Sequence, residues 1–300
     1  MNIALDETID AQVKRYPVHR HDFKRVAPIV CENDKFKPTP YLLHTVPYDF
    51  TLDDVGGDSV VTIPAGQSSQ IYMTNDNSGT LLVSTLTAIY TSIEFTAQIY
   101  DAEYQRYMSN RPIHASNLLG SAQYPYELPI DLFVEKTQVI KLDLRDLSIA
   151  PNTVRVSFGA MKMYWDYEGE FLQKTTEATK ISRPYFYTTD DDVTLPALAT
   201  TITSANLTIV NDADFYYYTP TIYSDGAFKM KVTNSATGFG WSNGWIHSSL
   251  FGGTALHHEK KDPPMIIQRS TQLKFDFMNL SGAPNRVFLC LGGVHYYYAR

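Results

Sequence analysis

From about residue 40 onward, apolar positions alternate with polar ones or run together for a few residues at a time. The stretches are Ser59–Ile63, Gln70–Thr74, Thr80–Tyr90, Ile93–Tyr100, Gln138–Leu144 and Thr153–Tyr164, then Leu207–Val210, Phe215–Tyr223, Phe228–Thr233, Gln272–Phe277 and Arg286–Tyr298. A period of two puts one row of side chains on a core and the other in water, so each stretch predicts a strand. Clusters of Gly, Asn, Asp and Ser, such as Asp54–Asp58, Asn75–Gly79 and Ser281–Asn285, supply the turns between them. Many short strands without intervening amphipathic helices predict an all-β chain, a sandwich or jelly roll rather than a parallel α/β sheet.

The pattern occurs twice. Ser109-Asn110-Arg111-Pro112-Ile113-His114-Ala115-Ser116 returns as Ser242-Asn243-Gly244-Trp245-Ile246-His247-Ser248-Ser249, an offset of 133 residues. Lys141-Leu142-Asp143-Leu144-Arg145-Asp146-Leu147-Ser148 returns at the same offset from Lys274, and Ala150-Pro151-Asn152 returns as Ala283-Pro284-Asn285. Gly159 and Tyr164 find Gly292 and Tyr297, while Val61–Ala65 matches Val193–Ala197 at 132. One offset held across separate motifs is a duplication, not coincidence. Two tandem, jelly-roll-like β-sandwich domains are expected at 46–167 and 181–300, joined by a polar linker at 168–180. Within each, Lys-[Leu/Phe]-Asp-[Leu/Phe] and the long strand after Ala-Pro-Asn are expected to form a closing hairpin, with Gly159 and Gly292 at a bulge or close backbone approach.

Residues 1–45 have no copy and differ in character. Lys14, Arg15, Arg20, Lys24 and Arg25 cluster there, and Pro17, Pro28, Pro38 and Pro40 favour extended backbone. An arm that lies on a neighbouring subunit and buries Val26, Ile29, Tyr41 and Leu42 is expected, with a protein surface its likelier contact than packaged nucleic acid. The whole chain carries a net charge of −7, which disfavours a protein built to wrap nucleic acid. Cys31 and Cys290 sit at opposite ends and belong to no metal-spaced group, so both are expected as free thiols. No membrane span or export signal is evident, and synthesis in a cytosol is expected.

Candidate chemistry is sparse. His257-His258-Glu259 offers three ligand types, but neighbours on a strand face opposite ways, so a solvated loop is the better reading. His114 and His247 recur in both copies, as do Asn152 and Asn285; structural loop roles are expected because the same contact is needed twice. Asp166, Glu168 and Glu170, and the run Asp190–Asp192, fit a charged linker and an acidic turn better than paired catalytic carboxylates or a calcium site. No catalytic residue, cofactor or metal is expected. In Thr237–Trp245, Phe239, Trp241 and Trp245 stand among glycines, while the first copy has Met108 and Pro112 in place of the tryptophans. That divergence suggests either a partner-contact loop, for protein or sugar, or a plug for the end of the second sandwich. Tyr, Phe and Trp make 13% of the chain, a composition suited to half-buried sheets and subunit interfaces.

The repeated unit, an Ile-His-x-Ser loop followed by Pro129–Gly159 or Pro264–Gly292, resembles the β-sandwich structural proteins encoded among virion genes of tailed bacteriophages. The likeness covers most of residues 90–165 and 225–298. It implies a virion component that decorates a capsid, serves as a minor capsid protein or sits at the neck. Two tandem sandwiches also resemble double jelly-roll major capsid proteins. Both imply a homo-oligomer, trimer or larger, whose partners are its own copies and other virion proteins. The contrasting class is a carbohydrate-binding module using Trp241 and Trp245 as sugar platforms.

Overall fold

The computed structural model describes residues 42–51, 60–165, 182–189, 193–197 and 201–297. Arm residues Lys14, Arg15, Arg20, Lys24, Arg25, Val26, Ile29 and Tyr41 lie outside these, as do Cys31, the expected linker and Asp190–Asp192. The first half runs β1 (Leu42–Thr51), β2 (Val61–Ile63), β3 (Ser68–Thr74), β4 (Thr80–Tyr90), β5 (Phe95–Asp101), β6 (Arg106–Tyr107), β7 (Ile113–His114), the single-turn α1 (Ala115–Leu118), β8 (Tyr126–Val134), β9 (Val139–Asp146) and β10 (Asn152–Trp165). The second runs β11 (Ser182–Thr188), β12 (Val193–Leu195), β13 (Ile202–Thr208), β14 (Ala213–Ser224), β15 (Phe228–Asn234), β16 (Ile246–His247), α2 (Ser248–Phe251), β17 (Met265–Ile267), β18 (Gln272–Asn279) and β19 (Asn285–Tyr297).

The sheets have orders β1-β10-β4-β8 and β3-β9-β5-β6 in the first half, and β11-β19-β14-β17 and β13-β18-β15-β16 in the second. The short strands β2, β7 and β12 extend this pattern by pairing β10, β5 and β19. Counting β1 with β2, and β11 with β12, as one interrupted first strand, and β6 with β7 as one fifth strand, the orders in both halves become 1-8-3-6 facing 2-7-4-5. That is the double Greek key of a jelly roll. The chain is all-β, with every sheet antiparallel and its strands drawn from one half.

Alternation sets the core. Along β18, Leu273, Phe275 and Phe277 are buried while Lys274 faces out, and along β3, Ile71 and Met73 point in between exposed Gln70 and Tyr72. Phe228 meets Phe277 edge to face at 5.7 Å between centroids. The 133-residue offset is reproduced in the pairing, since Leu142 faces Ile99 as Phe275 faces Val232, and Asn152 faces Ile63 as Asn285 faces Leu195. Gly159 and Gly292 mark a shared irregularity, with the extra residue, Ser84 or Tyr218, on the partner strand. A Cβ on Gly159 would come within 2.3 Å of Thr85 Oγ1, and one on Gly292 within 2.8 Å of the Tyr126 hydroxyl.

Four expectations are corrected. β9 and β10, like β18 and β19, lie in opposite sheets, so the Ala-Pro-Asn segment is an arch between layers and not the turn of a hairpin. The strand expected at Leu207–Val210 runs instead over Ile202–Thr208, where Ser, Thr and Asn hide the alternation. β1, β8 and β11 carry Pro47, Pro129 and Pro184 and were not expected as strands. All three are edge strands, where a missing N–H costs no ladder bond. Leu42, expected in the arm, opens β1 opposite Trp165.

Each arch is held by its buried asparagine. Asn152 Oδ1 accepts from the Ser92 N–H (3.0 Å) and the Thr91 hydroxyl (2.9 Å), and its Nδ2 donates to the Ser92 carbonyl (2.7 Å). Asn285 brackets Gly226 in the same way, at 2.8 and 2.7 Å. Replacing Asn152 or Asn285 by Ala leaves partly buried backbone groups without partners and is expected to cost about 1–2 kcal/mol per site, measured by urea unfolding. A loss below about 0.5 kcal/mol would contradict this account.

Candidate functional site: the seam between the halves

The first half meets the second through the segment 108–120 and β8. Ile113 and His114 pair with β5, and His114 Nδ1 then accepts from the Ser116 N–H (3.3 Å), which caps α1. Gly120 ends the segment where a side chain cannot fit, since a Cβ would lie 2.3 Å from both the Tyr124 carbonyl oxygen and the Tyr126 nitrogen. This fixes α1 against the outer surface of β14 and β19.

The contact is polar, directional and buried. Asn117 Nδ2 donates to the Phe288 carbonyl (2.8 Å), the Thr221 hydroxyl donates to the Asn117 carbonyl (2.9 Å), and the Ala255 N–H donates to the Ser116 carbonyl (2.7 Å). Asn110 exchanges two bonds with the backbone of Thr188, at 3.0 and 2.8 Å, and the main chains of Met108 and Asn110 bond to Phe186. Apolar groups fill the space between: Phe186, Ala255 and Cys290 of the second half belong to the first half's core cluster, and Tyr126 packs against Phe186. β19 is consequently buried without a break from Val287 to His295, whereas its counterpart β10 exposes Arg155.

Charges line the rim. Glu94 accepts from the Tyr223 hydroxyl (2.8 Å) and from Arg286 (3.0 Å), and Arg286 also forks onto Asp225. The fork raises the Arg286 pKa and lowers that of Asp225. At the other end Asp101 pairs with Arg183 at 3.3 Å, both buried, and accepts from Gln138 (2.9 Å), while the Tyr104 ring lies 3.3 Å from the guanidinium. Asp101 thus has the extra hydrogen bonds that a buried ion pair requires.

The expected site residues are distributed unevenly about this seam. His114 is in it, stacked on Tyr223 at 4.1 Å, whereas His247 caps α2 in solvent through the Ser249 N–H (3.3 Å). Asn152 and Asn285 hold the arches. In the aromatic loop, Phe239 is 70% exposed, Trp241 stacks between Tyr217 and Phe251, and Trp245 lies under the ammonium groups of Lys229 and Lys231. The two tryptophans therefore do not form one open platform. His257 and His258 pack on Tyr124 and Tyr126. Sequence reasoning missed Glu94, Asp101, Asn117, Arg183 and Arg286, since nothing local distinguishes a seam polar group from a surface one. Asn117 carried a usable signal, because its repeat partner is Leu250.

The seam is chemically quiet at neutral pH. Burial pushes the Cys290 thiol up to about 12, so it stays protonated and unreactive. Burial also lowers His114 to about 4 and His295, which shares a 2.9 Å hydrogen bond with the Tyr187 hydroxyl, to about 3. Among the described residues, no group of three or more His, Cys, Asp or Glu is placed to hold a metal, and no helix is long and apolar enough to cross a membrane.

No protein-family model and no curated protein matches the chain. Among solved structures it is similar to a chain of an archaeal virus with a triple jelly-roll fold and turret assembly, at 10% identity and a TM-score of 0.20, over 79% of this chain and 58% of that one. It is also similar to VP2 of the infectious bursal disease virus subviral particle (9%, TM-score 0.22, 85% against 42%) and to PNGF-II (9%, TM-score 0.33, 86% against 66%). The chain thus spans about half the length of the two viral proteins. Similarity of this order assigns no function.

Both buried histidines tie stability to pH with a definite sign. Above their ordinary value of 6.5 they are neutral folded and unfolded, and stability is intact. Below it the unfolded chain takes up protons that the folded chain refuses until about pH 4 at His114, so stability falls as pH falls across that window. His114 alone accounts for about 3 kcal/mol of the loss. His114→Asn, which keeps a capping oxygen but does not titrate, is expected to lessen the fall of the urea midpoint between pH 6.5 and 4, leaving the part due to His295; a profile parallel to the parent would contradict this.

Proposed function

We propose that the chain is a structural protein of a virus particle, a shell-building unit of two jelly rolls in tandem, with no catalytic role. The observation that carries the reading is the seam. Two complete jelly rolls of the same strand order are locked by buried directional bonds, and the seam shields one β-face in the second half, with its counterpart in the first left open. A jelly roll by itself serves capsids, lectins and cupins alike. A duplicated pair with apolar groups such as Ile89 and Leu250 turned outward is suited to tiling.

The proposed layout is an arm at 1–41, sandwiches at 42–167 and 181–300, and a linker at 168–180, the first boundary moved to where β1 begins. The partners are further copies of the chain and other particle proteins, and the chain acts within the virion after synthesis in a host cytoplasm. A rigid pair supports a lattice-forming place like that of double jelly-roll capsid proteins, ahead of the decoration or neck place implied by the tailed-phage motif. The packing of Trp241 on Tyr217 and Phe251 favours this reading over a sugar platform built on both tryptophans.

The test is the mass of the purified full chain by light scattering across concentration, with electron microscopy of the heaviest fraction. Regular oligomers, trimer or larger, and ordered assemblies are expected, and deletion of residues 1–41, which leaves β1 whole, should reduce their size. A monomer at every concentration would overturn the reading.

A further inference from the structure

The duplication makes one contact surface available a second time. Within the chain, α1 and its flanks lie on β14 and β19, where Asn117 bonds to Thr221 and the Phe288 carbonyl and His114 stacks on Tyr223. Register matching carries each of these positions to the other half. Asn117 becomes Leu250, His114 becomes His247, Thr221 becomes Thr87, and the strand neighbours Tyr223 and Phe288 become the strand neighbours Ile89 and Arg155. The matching is structural as well as sequential: the parallel bridge Thr87–Gly120 in the first half is repeated as Thr221–Gly253 in the second.

The carried-over surfaces are open. Leu250 is 79% exposed where Asn117 is 1% exposed, and Ile89 is 67% exposed where Tyr223 is half-buried under His114. Phe239 and Ile266 add further exposed apolar area in the second half. An apolar side chain has thus replaced the buried amide at the centre of the donor surface, and another stands at the matching place on the acceptor face.

We propose that α2 of one chain docks on the β4–β10 face of a second copy of the same chain, repeating between molecules the contact that joins the halves within one. The occupant of each face is a copy of this protein, and the joint is head to tail. Such a joint either closes into a ring or runs on as a filament, according to the rotation it imposes. This deepens the assembly reading and rests on it.

Leu250→Asp and Ile89→Asp each spoil one side of the joint at an exposed position, so folding should survive. Each variant alone is expected to associate at least tenfold more weakly than the parent by light scattering. Mixed together they should form a dimer containing one of each, because each retains the surface that the other lost. In a Cys31→Ser background, His247→Cys and Ile89→Cys chains, at the positions that match the stacked His114 and Tyr223, should form a disulfide-linked dimer on oxidation in the mixture, and neither should do so alone. A parent that assembles while both aspartate variants assemble equally well, or a cysteine mixture that fails to cross-link, would overturn this joint and leave the assembly reading standing. A monomeric parent would overturn both.

Discussion

The structure depends on the double burial of β19. Its inner side chains fill the second half's own core, and its outer side lies under the first half, so Val287 to His295 are buried on both faces. A strand in that position cannot leave one partner without exposing apolar groups together with the Phe288 carbonyl, which Asn117 satisfies. The seam bonds are therefore costly to break one at a time, and the two sandwiches move as a pair. The ion pairs at the two ends of the seam, Arg286 with Glu94 and Arg183 with Asp101, fix its direction as well.

Most of the fold was legible because duplication printed it twice. The 133-residue offset marked β9, β10, β18 and β19 and the loops bearing His114 and His247 before any geometry was known. Edge strands were hidden, since Pro47, Pro129 and Pro184 break a pattern that tolerates them only at an edge. β13 was displaced because Ile202–Thr208 alternates Ser, Thr and Asn with few large apolar groups. The arch was mistaken for a hairpin turn because sequence spacing does not say whether two adjacent strands share a sheet.

The site was less legible than the fold, for a physical reason. Asn117, Glu94 and Arg286 are ordinary polar residues whose importance comes from partners 171, 129 and 192 positions away, which no local pattern encodes. The differences between the copies were the better guide. Asn152 and Asn285 agree and each serves its own sandwich, whereas Asn117 and Leu250 disagree and face something different in each half.

The tips of the two arches show what the architecture leaves unconstrained. Ile149 is fully solvent-exposed at the first, and at the same position of the second stands Gly282, around which a Cβ would meet nothing within 4 Å. Asparagines at the arch bases hold the ends of each loop in place, and strand pairing stops short of the apex. The apex is thus a natural display point: a foreign epitope or affinity tag inserted beside Ile149 would ride on the surface of the folded pair and leave the register of both sheets untouched.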